Sequence, residues 1–70
     1  SAREKSLIAL AVAAAVQCPY CIDAYTNGSL EKGADAAQIT EALHVANAIR
    51  GGATLAHGVQ ARKILDDQDF

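Results

Sequence analysis

The two cysteines of this 70-residue chain stand three apart in the stretch Val16-Gln17-Cys18-Pro19-Tyr20-Cys21. A pair at this spacing can be a redox dithiol, half of a metal site, or two buried core residues. Residues i and i+3 on a helical turn have Cα atoms about 5–6 Å apart, inside the range that a disulfide accepts. Cys18 and Cys21 can therefore pass between dithiol and disulfide with little movement of the backbone. Pro19 suits the first position of a helix, where its missing N–H is not needed, and this makes Cys18 the N-cap. A thiolate there faces unpaired N–H groups and the positive end of the helix dipole, which favours its reactive form. One turn thus offers a nucleophile and a resolving thiol.

The other two chemistries fit less well. A structural zinc needs four ligands, and the only histidines, His44 and His57, lie thirteen residues apart instead of the roughly three to five of a paired histidine arm. They also fall about 140° apart around an uninterrupted helix. Two core cysteines would explain neither the proline nor the helix start. We therefore expect a redox pair, with no metal and no organic cofactor.

The elements that position the pair read as helices. From Arg3 to Val16, Leu7, Leu10, Ala11, Ala14 and Ala15 recur at helical spacing, and Gln17 ends the run ahead of Cys18-Pro19. A second helix starts at Cys18 and reaches about Lys32, where Gly33 is a natural stop; Asn27-Gly28 weakens its middle. Asp35 and Gln38 form a capping box for a third helix, with an apolar stripe at Ile39, Leu43, Ala46 and Ile49 that continues through Ala53, Ala56 and Ile64. This third helix is expected to run to about Leu65. Gly51-Gly52 marks its place for a kink or for close approach of another backbone. Asp66 to Phe70, with Asp66, Asp67 and Asp69, reads as a solvated tail. No segment reads as a strand, so the expected class is all-α: three main helices in a single domain, residues 1–70.

Composition sets the limits of that domain. The chain is 51% hydrophobic, but 16 residues are alanine, with one Phe, two Tyr and no Trp or Met. Alanine buries little area, so the core is expected to be thin, and the chain to associate with copies of itself or, as a fragment or trimmed chain, to dock on a missing partner. The six Lys and Arg residues are dispersed and the net charge is −2, which argues against nucleic acid as a partner. Leu7 to Val16, the longest apolar run, has ten residues, too few for a membrane span. A cytoplasmic location is expected, where a lone cysteine pair points to catalysis more than to a structural staple. Asp23 and Glu41 read as solvated helix residues. His57, in Ala-Thr-Leu-Ala-His-Gly, reads as a neutral core or interface histidine.

Cys-Pro-Tyr-Cys is also the tetrapeptide of glutaredoxins, but there it follows a β-strand, whereas here it follows an alanine-rich helix. A broader resemblance covers Lys5 to about Gly58. The stretches "SLIALAVAAAVQCPYCIDAYTNG" and "GADAAQITEALHVANAIRGGATLAHG" resemble the carboxymuconolactone decarboxylase-like superfamily, in its cysteine-bearing, alkyl hydroperoxidase D-like branch. The decarboxylase branch lacks the cysteine pair. The resemblance implies an oligomeric, all-helical fold. It also implies an antioxidant dithiol peroxidase whose partners are a small-molecule peroxide and a thiol or dithiol reductant. Peroxide attack would fall to Cys21, and exchange with the reductant to Cys18, whereas helix-end electrostatics favour Cys18 as the thiolate.

Two positions depart from the family's pattern. Its glutamate, twelve residues before the first cysteine, is Ser6 here, and its histidine, four after the second, is Tyr25. Tyr25 keeps the face of Cys21 and Cys18. A phenol with a pKa near 10, however, accepts a proton poorly at neutral pH. Cys18, Cys21, Tyr25, Ser6 and, from another subunit, His57 are thus the candidate catalytic residues. His44 is a further possible substitute. The competing expectations are an oligomeric helical module without activity, a redox sensor, or a different reaction on the decarboxylase-like scaffold.

Overall fold

The computed structural model describes residues 1–68 as four helices: α1 (Ala2–Ala15), α2 (Pro19–Glu31), α3 (Ala36–His57) and α4 (Val59–Asp66). No strand occurs among the described residues, as the all-α expectation required. Asp69 and Phe70, placed in a solvated tail, lie outside the described residues. Asp66 is the last residue of α4 and pairs with Arg62 at 2.9 Å on an exposed face.

Three helix ends follow from local chemistry. α1 stops because Gln17 adopts a left-handed backbone, φ 61°. The Cys18 N–H then donates to the Ala13 carbonyl at 3.0 Å and the Gln17 N–H to Ala14 at 3.2 Å, closing a Schellman motif. α2 ends in the same way. Gly33, φ 90°, lets the Ala34 N–H reach the Ser29 carbonyl at 2.9 Å and its own N–H reach Leu30 at 3.1 Å. α3 begins with the expected capping box: the Gln38 N–H donates to the Asp35 carboxylate at 2.8 Å and the Asp35 N–H to the Gln38 side chain at 3.0 Å.

The far end of α3 corrects the sequence reading. The helix runs unbroken through Gly51-Gly52, and no atom lies within 4 Å of the place a Cβ would occupy on either. The interruption falls at Gly58, so the helix expected to reach Leu65 becomes two. Gly58 sits at φ −61°, ψ −19°, and its N–H is shared between the Thr54 and Leu55 carbonyls at 2.9 and 3.1 Å. That turn is tightened toward 3₁₀ geometry. A Cβ on Gly58 would lie 3.1 Å from the Leu55 oxygen.

α1 lies between α2 and α3 and packs on both. Its buried residues are Ser6, Leu10 and Ala13, with Leu7, Ala11, Ala14 and Ala15 half-buried. Leu10, Ala13, Ala34 and Ala46 make up the apolar core. Of the expected α3 stripe only Ala46 is buried and Ile39 half-buried; Leu43 and Ile49 are exposed, as are Ala53, Ala56 and Ile64. The reason is length. α3 rises beside α1 until Arg50 stands level with Gln17, and sixteen further residues project roughly 24 Å beyond the α1–α2 turn. The molecule measures 58 × 21 × 17 Å with a radius of gyration of 16.9 Å, where a compact chain of this length would have about 11 Å.

Two substitutions should stabilise this fold in urea denaturation. Gln17→Gly removes the left-handed strain and is expected to add about 0.5–1 kcal/mol. Ser29 is fully buried and its Oγ has no hydrogen-bond partner, so Ser29→Ala should add about 1 kcal/mol.

Candidate active site

The Gln17 turn delivers the chain to Cys18 with extended backbone, φ −104°, ψ 95°, the conformation of an N-cap. Pro19 follows at the first helical position. The Cys21 N–H donates to the Cys18 Sγ at 3.3 Å, and the Ile22 N–H to the Cys18 carbonyl at 2.9 Å. Cys18 thus caps the helix with its sulfur. Cys18 and Cys21 are joined as a disulfide, with their Cα atoms 5.3 Å apart. Both are half-buried, while Pro19 and Tyr20 between them are exposed. The pair is therefore partly open to solvent. Among the described residues no cluster of three or more His, Cys, Asp or Glu could hold a metal ion.

Ser6 and Tyr25 meet in a second place. They line a cleft of about 390 Å³ between α1 and α2, together with Lys5 and Lys32. Ser6 is buried, and its hydroxyl oxygen accepts a hydrogen bond of 2.9 Å from the Lys32 ammonium. A Cβ on Gly28 would make an ordinary van der Waals contact with the Lys32 Nζ, at 3.6 Å. Neither lysine pairs with a carboxylate among the described residues. Sequence reasoning missed Lys32. The signal was present in helical spacing: Cys18, Cys21, Tyr25, Gly28 and Lys32 follow one another at three- and four-residue steps along one face of α2.

The histidines stand apart from this cleft. His57 is exposed as the last residue of α3, on the projecting arm, and not in a core. His44 is exposed on α3. Asp23 and Glu41 are exposed as expected, although Glu41 also edges a groove between α1 and α3.

Residues 1–63 match the model of the carboxymuconolactone decarboxylase family. The chain belongs to that family. Its Cys-x-x-Cys pair, closed as a disulfide, places it with the alkyl hydroperoxidase D-like branch. A protein of Paracoccus denitrificans described as "Uncharacterized protein 4 in cox locus" is 46% identical over 67 residues, covering 96% of this chain and 60% of that protein. The chain therefore spans about 60% of the length of the curated relative it matches. No solved structure matches it. Among the described residues, no helix is long and apolar enough to cross a membrane.

The geometry makes a direct statement about thiol chemistry. After full reduction, mild oxidation of the chain should remove two free thiols together and lower the mass by two hydrogens, reversibly with reductant. Independent alkylation of both cysteines after that treatment would contradict a coupled pair.

Proposed function

We propose that this protein is a dithiol oxidoreductase that reduces hydroperoxides through Cys18 and Cys21. The observation that carries the reading is the disulfide across the first turn of α2, with the Cys18 sulfur at the N-cap. In the cycle, a thiolate attacks one peroxide oxygen, the O–O bond breaks, and the alkoxide leaves as an alcohol after taking a proton. The attacking sulfur becomes a sulfenic acid. The second thiol displaces hydroxide from it, giving the Cys18–Cys21 disulfide and water. A thiol or dithiol reductant then returns two electrons and two protons by exchange. No organic cofactor enters this cycle, and the cytoplasm would supply the reductant.

The N-cap position supports Cys18 as the thiolate, while the family resemblance assigns attack to Cys21. Ser6, Tyr25 and Lys32 would serve the proton traffic beside α2. Hydroxyl groups relay protons weakly at neutral pH, so turnover is expected to be slow. The same substitution pattern favours a second reading, in which the pair senses oxidants without turning over rapidly.

The deciding experiment is peroxide turnover with a dithiol reductant. Wild type should turn over, and Cys18→Ser and Cys21→Ser should each abolish it. The variant that still forms a sulfenic acid identifies the attacking thiol as the one that remains. A general base contributes about 10²–10⁴-fold, so Tyr25→His should raise the rate, and Ser6→Glu added to it should raise it further. No turnover in wild type, with reversible disulfide formation intact, would support the sensor instead.

A further inference from the structure

The cleft between α1 and α2 carries charge that the chain leaves unanswered. Lys5 and Lys32 line it and no carboxylate does. Neither lysine pairs with a carboxylate elsewhere among the described residues. Ser6 is only 4% exposed, and its Oγ accepts from the Lys32 ammonium at 2.9 Å. The hydroxyl keeps its own proton to donate. Tyr25 adds a phenol that is 42% exposed. The polar groups of the cleft are thus two cations and two hydroxyls able to donate. Its remaining walls are Ala2 and Ala9, which suit an apolar body. The volume, about 390 Å³, lies within the range of small-molecule sites, about 300–1,000 Å³. An organic carboxylate matches this arrangement: its head meets the lysines and the Ser6 hydroxyl, and its hydrocarbon lies along the alanines and the Tyr25 ring.

The place of the cleft on α2 sets a length. A Cβ on Gly28 would lie 3.6 Å from the Lys32 Nζ, so the ammonium stands level with Gly28, two helical turns from Cys21. That separation is roughly 10 Å along the helix. Tyr25 lies between the two on the same face, one turn from Cys21. We propose that the cleft selects hydroperoxides that carry a carboxylate, the two groups being separated by about eight bonds of an extended chain, at about 1.2 Å per bond. Lys32, Lys5 and Ser6 hold the carboxylate, and the far end of the chain brings the peroxide to the cysteine pair. The thiolate attacks the outer peroxide oxygen, the O–O bond breaks, and the remainder leaves as a hydroxy acid after taking a proton. The second thiol then displaces hydroxide from the sulfenic acid, and a thiol or dithiol reductant reopens the disulfide. The peroxide end of this inference rests on the proposed redox function, whereas the carboxylate site stands on the cleft itself.

Calorimetry with octanoate tests the carboxylate site without any turnover. Octanoate should bind about tenfold or more tightly than octanol, and the difference should shrink as salt rises. Lys32→Gln should remove that difference, while Lys32→Arg should retain most of it. Equal binding of octanoate and octanol, affinity unchanged in Lys32→Gln, or inorganic phosphate bound as tightly as octanoate would overturn an organic carboxylate site. Turnover then compares octanoate bearing a terminal hydroperoxide with its methyl ester. The acid should show a KM about tenfold lower at similar kcat. It should lose this advantage in Lys32→Gln, and the butanoate homologue should lack it in wild type. Equal KM values for acid and ester, in a protein that turns both over, would overturn the substrate class and leave the redox function standing. Octanoate binding with turnover of neither peroxide would overturn the redox function and the substrate class together, and leave the carboxylate site.

Discussion

The hydrogen bond from the Cys18 N–H back to the Ala13 carbonyl, 3.0 Å, is the contact on which the rest of the site depends. It forms because Gln17 accepts a left-handed backbone that a β-carbon disfavours. With that bond closed, α1 cannot continue, and Cys18 leaves the turn in the extended conformation of a cap. Pro19 then starts α2 with φ already near the helical value. The same few residues end one helix, start the next and bring two sulfurs within bonding reach. A cysteine pair built this way has little freedom to lose when it closes, because backbone hydrogen bonds already hold its geometry.

α2 carries this order away from the turn. The face that begins at Cys18 and Cys21 continues through Tyr25 and Gly28 to Lys32, and α1 lays Ser6 against its far end. There the Lys32 ammonium folds back along the helix and donates to the Ser6 hydroxyl. Two cations and two hydroxyl groups consequently line this cleft.

Stability is organised differently from chemistry in this chain. Alanine permits α1 to approach its neighbours closely, but it removes little apolar area from water, and among the described residues Leu10 is the one large side chain fully enclosed. The large aliphatic residues stand mostly on the outer face of α1, along α3 and on α4. The arm projects beyond α1 and α2, and an isolated helix of this length would be marginal in water. The local cysteine turn is held by hydrogen bonds within a few residues, while the apolar residues along the arm are exposed.

Much of this was determined by the sequence alone. Pro19 after Cys18, Gly33 after Lys32, and Asp35 with Gln38 each act through hydrogen bonds within a few residues, so the helix boundaries around the pair and the pair's spacing were legible. The family resemblance likewise rested on local strings. Other features needed the tertiary structure. Whether the stripe from Ile49 onward is buried depends on how far α1 extends beside α3, and α1 stops short of it. Gly51-Gly52 looked like the break because glycine lowers helix propensity, but intact backbone bonds carry the helix through. The interruption falls at Gly58 instead, where the N–H is shared between the Thr54 and Leu55 carbonyls. The meeting of Ser6 with Lys32 joins residues 26 positions apart, and only the antiparallel packing of α1 on α2 could bring them together.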